Sequence, residues 1–164
     1  MDNVSNKRKS VTAFEESIGF YNSYLVIKKT NEDFFNDFSK NNKPEGLLQA
    51  NRHYLGMFCS QCMLINISIE LMLKSLLLYE NKIIKSHDLL KLYKNLSLDI
   101  KNDFEYFVRN RDSDFNIIEF LEKEKNNFIE WRYMFEDNQS GKNISFKSSQ
   151  IFYEYLKDYR LKIG

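Results

Sequence analysis

Pro44 is the only proline in the chain, and Gly46 close behind it is one of five glycines. A backbone with so few turn-forming positions cannot make the frequent reversals of an all-β domain, whereas apolar residues recurring every three or four positions can run as long helices. The sequence therefore predicts an all-α fold, an up-and-down bundle of four to five helices. At 164 residues and 43% hydrophobic content there is material for one core. The polar start predicts a disordered tail over residues 1–10 and a single helical domain over 11–164.

Phe14, Ile18, Leu25 and Lys28 share the spacing of a first helix, and Phe34, Phe35 and Phe38 form a second apolar cluster before the break at Lys40–Gly46. From Leu47 to Tyr79 the chain is at its most apolar, and the part from Leu55 to Leu78 approaches the composition of a membrane span. Gln61, Asn66, Glu70 and Lys74 interrupt it, and a carboxylate and an ammonium are costly in lipid, so a buried central helix is expected and no membrane. Ser86 predicts a capped start for the next helix, followed by Leu89, Leu90, Leu92, Tyr93 and Leu96. Leu98–Val108 and Phe115–Phe135 predict two more helices, with Ser113 or Asp114 as the cap of the second. Ile151, Phe152, Tyr155, Leu156 and Tyr159 predict the last.

With 24 basic and 23 acidic residues the formal charge is +1, so any contact with a polyanion must be local. Four lysines (82, 85, 91 and 94) against Asp88 give the stretch 82–95 a net charge of +3, while eleven acids and six bases make 99–137 net −5. His87, Lys91 and Lys94 are spaced to share a helix face on which a phosphate can sit; an ordinary solvated face is the simpler account. No apolar run or cleavage site follows the basic start, so no signal peptide is expected and a cytoplasmic location is. Cys59 and Cys62 lie within an apolar helical pattern, which predicts free buried thiols and neither redox chemistry nor a metal site. No cofactor is expected: a glycine-rich phosphate loop and a Gly-x-Ser-x-Gly turn are both absent.

Three segments stand out in order. Glu70 and Lys74 are one helical turn apart, acid before base, and predict an ion pair on a mostly buried helix. Ser86-His87-Asp88-Leu89 places a histidine beside a helix start, where a structural hydrogen bond is the commoner role. Phe128-Ile-Glu-Trp131-Arg132-Tyr133-Met-Phe135 reads as an aromatic core stripe with an arginine snorkelling from it.

Taken together, Glu-x-x-x-Lys, His-Asp-Leu and aromatic-Arg-Tyr, spread over about residues 50–137, resemble the HEPN family of small helical domains. The resemblance implies a bundle that pairs as a homodimer, with a polar cleft binding RNA or a nucleotide. It also implies a bacterial defence, stress or toxin–antitoxin setting, with an antitoxin or a nucleotidyltransferase as partner. Ribonucleases of the family cut without metal, using an arginine that holds phosphate and a histidine four to six residues later. Arg132 takes the arginine position, but the positions after it hold Asp137, Asn138 and Gln139, and no histidine follows His87. The resemblance thus predicts a non-catalytic module whose ligand is held by Arg132, Tyr133, Lys74, Glu70, His87, Asp88 and Lys91. The alternatives are a ribonuclease toxin with an altered site, whose catalytic candidates are Arg132 and His87, and a protein-interaction bundle.

Overall fold

The computed structural model describes residues 2–41, 47–124 and 145–164, with the side chains of 4–37, 54, 56–124 and 145–164. Among these the fold is all-α, with no strand. Six helices follow in order: α1 Asp2–Asn41, α2 Leu47–Tyr79, α3 Leu89–Lys94, α4 Leu98–Arg109, α5 Ile117–Glu124 and α6 Phe146–Ile163.

Two serines on α1 set its direction against its neighbours. Ser10 donates its hydroxyl to the Ser75 carbonyl at 2.7 Å, and Ser17 donates to the Ser68 carbonyl at 2.8 Å, so α1 and α2 run antiparallel. Ser17 also meets the Tyr153 hydroxyl at 3.4 Å, and Ser10 accepts from Arg160 at 3.2 Å, so α6 runs parallel to α2. One heptad further along α1, Tyr24 stacks near Phe146. These layers recur every seven residues, the repeat that keeps one seam facing its partners. The serines of the first two layers let α1 approach near enough for a hydroxyl to reach the α2 backbone.

That packing corrects two expectations. The chain is helical from Asp2, where its polarity predicts a disordered tail over 1–10, because Asn6 and Ser10 are buried. The Ser10 hydroxyl serves contacts with Ser75 of α2 and Arg160 of α6 and not solvent. The two apolar clusters before Pro44 also belong to one helix, since no breaker separates them.

The core gathers Ile65, Ile69, Met72, Leu73 and Leu76 of α2 with Leu92 and Tyr93 of α3, Phe104 of α4, Leu121 of α5 and Phe152 and Leu156 of α6, all essentially sealed from solvent. Phe104 lies edge-on to Tyr93, Phe152 and Tyr159, tying three helices at one aromatic node. The segment Gly56–Tyr79 is long and apolar enough to cross a membrane, and most of it is packed inside the protein. Cys59 and Cys62 are free and buried, and burial pushes both thiols up in pKa, which leaves them unreactive.

Helix starts are made by side chains one step away from those the sequence points to. Asp88, not Ser86, caps α3 by accepting from the Lys91 N–H at 2.9 Å, while Ser86 accepts from the Asp88 N–H. Asn116, not Ser113 or Asp114, accepts from the Glu119 N–H at the start of α5. In both places the carboxylate or amide nearest the first buried leucine or isoleucine wins, because burial fixes where the helix begins.

Candidate functional site

α2 carries Glu70 and Lys74 on adjacent turns of one face, and the non-helical strap Lys82–Asp88 folds back along that face before α3 begins. The reversal starts at Asn81, whose φ of 61° is left-handed, a conformation asparagine tolerates better than most residues. The strap brings His87 to α2. His87 Nδ1 lies 3.0 Å from Oε2 and 3.1 Å from Oε1 of Glu70, and Lys74 Nζ is 2.6 Å from Oε1. Two of the three segments singled out in the sequence therefore meet at one carboxylate.

Exposure divides the roles within this triad. The Glu70 side chain is only 8% exposed, that of Lys74 is 25% exposed and that of His87 is 56% exposed. An ionised carboxylate accepts hydrogen bonds and donates none, so Nδ1 of His87 carries the proton and the imidazole plane is fixed against the protein. Nε2 is then the ring nitrogen that can accept a proton or, on a charged ring, donate one. Glu70 is the buried anchor; Lys74 and His87 present cationic or donor groups outward.

Beside the triad lies an open groove of about 440 Å³. Leu77, Leu78 and Ile84 give it apolar walls, and Lys74, Lys82, Lys85 and His87 stand along it. Lys82 is tied to Glu80 at 3.3 Å and to the Asn95 carbonyl at 3.1 Å. Glu80 also accepts from the Ser97 N–H, so it braces the strap against the start of α4. Lys85 is exposed and forms no ion pair among the described residues.

The other sequence candidates fall elsewhere. Asp88 is engaged as a cap, a structural duty that accounts for it fully. His87 precedes α3, so the helical face proposed for His87, Lys91 and Lys94 does not exist as such. Lys91 is exposed on α3, away from the groove lining, and Lys94 approaches Glu122 of α5 at 4.0 Å. Arg132 and Tyr133, with the rest of 128–135, lie outside the described residues. Sequence reading counted Lys82 and Lys85 as charge and missed them as groove residues. Their sequence, Lys82-Ile83-Ile84-Lys85, carries no pattern that marks a groove.

A second polar feature lies where the start of α1 meets the ends of α2 and α6. Arg160 is only 4% exposed, donates to Ser10, and lies 5.6 Å from the Phe14 ring centre and 5.1 Å from that of Tyr79. No carboxylate pairs with it among the described residues. The C-terminal ends of α2 and α6, both negative in dipole, meet here with two aromatic faces, which stabilise the guanidinium in place of an acid.

Comparison with protein-family models, with curated proteins and with solved structures finds no match for this chain.

Proposed function

We propose that this chain is a HEPN-like helical protein acting as a homodimer and a non-catalytic RNA- or nucleotide-binding module in the bacterial cytoplasm, in a defence or stress system. The observation that carries the reading is the meeting of His87 with the Glu70–Lys74 pair, because it joins two of the three segments on which the family resemblance rests. Lys74 and His87 would hold phosphate oxygens while Glu70 fixes both, and Arg132 and Tyr133 would supply a guanidinium fork and a stacking ring. An antitoxin or a nucleotidyltransferase is the partner the resemblance implies.

A second reading, a metal-independent ribonuclease, is favoured by the dyad itself. A carboxylate that holds Nδ1–H leaves Nε2 as the proton-accepting atom, the arrangement a general base requires. Total cellular RNA incubated with the purified protein in chelator-containing buffer separates the two. The binding module leaves RNA intact while retaining an oligoribonucleotide, and loses retention in Arg132→Ala. Cleavage abolished by both Arg132→Ala and His87→Ala would establish the nuclease instead. Neither retention nor cleavage would leave a protein-interaction bundle.

A further inference from the structure

The strap between α2 and α3 is not helical, and its exposure alternates residue by residue: Asn81, Ile83, Lys85 and His87 are exposed, while Lys82, Ile84, Ser86 and Asp88 are partly covered. Alternation with period two is the signature of an extended strand. Among the described residues, no backbone N–H or C=O of residues 83–86 makes a hydrogen bond, although the N–H groups on either side, at Lys82 and Asp88, are satisfied. An all-α protein thus displays a short strand edge with open donors and acceptors, which is the template another extended chain pairs with.

We propose that this edge is a docking site for an acidic, extended peptide segment of a partner protein, which adds to the strap as a β-strand. The occupant's charge follows from the side chains around the edge. Lys85 is exposed and Lys74 and Lys82 are partly exposed at 25% and 39%, whereas the acids paired to the latter two, Glu70 and Glu80, are nearly buried at 8% and 12% exposure. The groove wall of Leu77, Leu78 and Ile84 receives one apolar side chain of the incoming strand, and neighbouring carboxylates meet the lysines. Ile83, 61% exposed and set between lysines, is covered by the added strand. A second copy of the strap is excluded as occupant, because Lys82 and Lys85 would face their own kind. A nucleic acid matches the charge but has no ladder of amides to satisfy residues 83–86. Because His87 ends the strap, a docked segment covers the Glu70 triad and regulates access to whatever it holds.

The test uses the full chain and a synthetic blocked heptapeptide alternating glutamate with valine, with binding measured by calorimetry. Three comparison peptides are needed: one with lysine for glutamate, and two N-methylated at odd or at even positions, each silencing the donors of one strand edge. Saturable binding is expected for the acidic peptide, none for the lysine peptide, and at least tenfold weakening for one of the two N-methylated forms. Lys85→Glu, an exposed change that leaves the fold intact, weakens the acidic peptide at least tenfold. Absence of saturable binding overturns the proposal, as does equal affinity of both N-methylated forms, which would make the groove a charge sink without a ladder. So does an oligouridylate that binds in a Lys85-dependent way and is not displaced by the peptide. That last result would sink the peptide while supporting the RNA reading, so the two fail separately.

Discussion

His87 Nδ1 sits 3.0 Å from Glu70 Oε2, joining a residue just ahead of α3 to a nearly buried carboxylate in the C-terminal third of α2. Seventeen positions separate them in sequence, and the left-handed turn at Asn81 closes the gap. The proton is expected on Nδ1 of the neutral ring. Long-range proton–nitrogen NMR of the imidazole reads the tautomer directly, and an Nε2–H ring would show that Glu70 does not orient it.

Glu70 serves two partners from a position that water scarcely reaches, so its loss should cost more than the loss of either partner. Glu70→Ala strands Lys74 beside an apolar wall and is expected to lower stability by about 2–3 kcal/mol. His87→Ala, at a side chain more than half exposed, is expected to cost about 1 kcal/mol or less. Denaturant titration of both variants checks the order, and an equal loss would remove Glu70 from its anchoring role.

The serine layers make a separate prediction about α1. Ser17 is fully buried and its hydroxyl reaches the Ser68 carbonyl at 2.8 Å. A leucine there must push α1 away from α2, and Ser17→Leu is expected to destabilise by about 3 kcal/mol through overpacking and an orphaned carbonyl contact. Ser23 on the exposed side bonds only within its own helix, so Ser23→Ala should change stability by less than about 0.5 kcal/mol. Thermal melts of the pair locate the seam.

Two buried tyrosines should respond in opposite directions to the same chemical change. The Tyr24 hydroxyl is buried with no hydrogen-bond partner among the described residues, whereas Tyr93 donates to Glu105 at 3.0 Å. Tyr24→Phe removes an unsatisfied polar atom and is expected to be neutral or to stabilise by about 1 kcal/mol. Tyr93→Phe leaves Glu105 without that donor and is expected to cost about 1 kcal/mol. A matching loss in both would mean that Tyr24 has a partner.

Residues that obey a period were legible in the sequence, and residues placed by a neighbour were not. The central helix, the free cysteines, the Glu70–Lys74 pair and the last helix follow from spacing alone. Ser10 looks like a tail residue because its partners, Ser75 and Arg160, lie far away in sequence. The end of the strap, Ser86–Asp88, reads in the sequence as a helix start because Ser-His-Asp-Leu-Leu carries capping chemistry. Only the fold shows that Asp88 uses that chemistry and leaves His87 for Glu70.

Alkaline pH should act on the aromatic core as a whole. Tyr21, Tyr24, Tyr93, Tyr153 and Tyr159 are buried, and burial first of all raises their phenols above the ordinary value near 10, Tyr153 to about 12. Glu105 beside Tyr93 and Asp103 beside Tyr159 raise those two further, since a tyrosinate would face a carboxylate. A phenol raised in the folded state keeps its proton after the unfolded chain has lost its own. Stability is therefore fully present below about pH 10 and falls as pH climbs towards and beyond 12. The phenols of the unfolded chain ionise near the ordinary value of about 10. The buried five should ionise later, in one step that coincides with loss of helix. Tyrosinate absorbance and circular dichroism followed through the same titration test this, and smooth ionisation of every tyrosine near pH 10 without unfolding would show that the aromatic core is open to solvent.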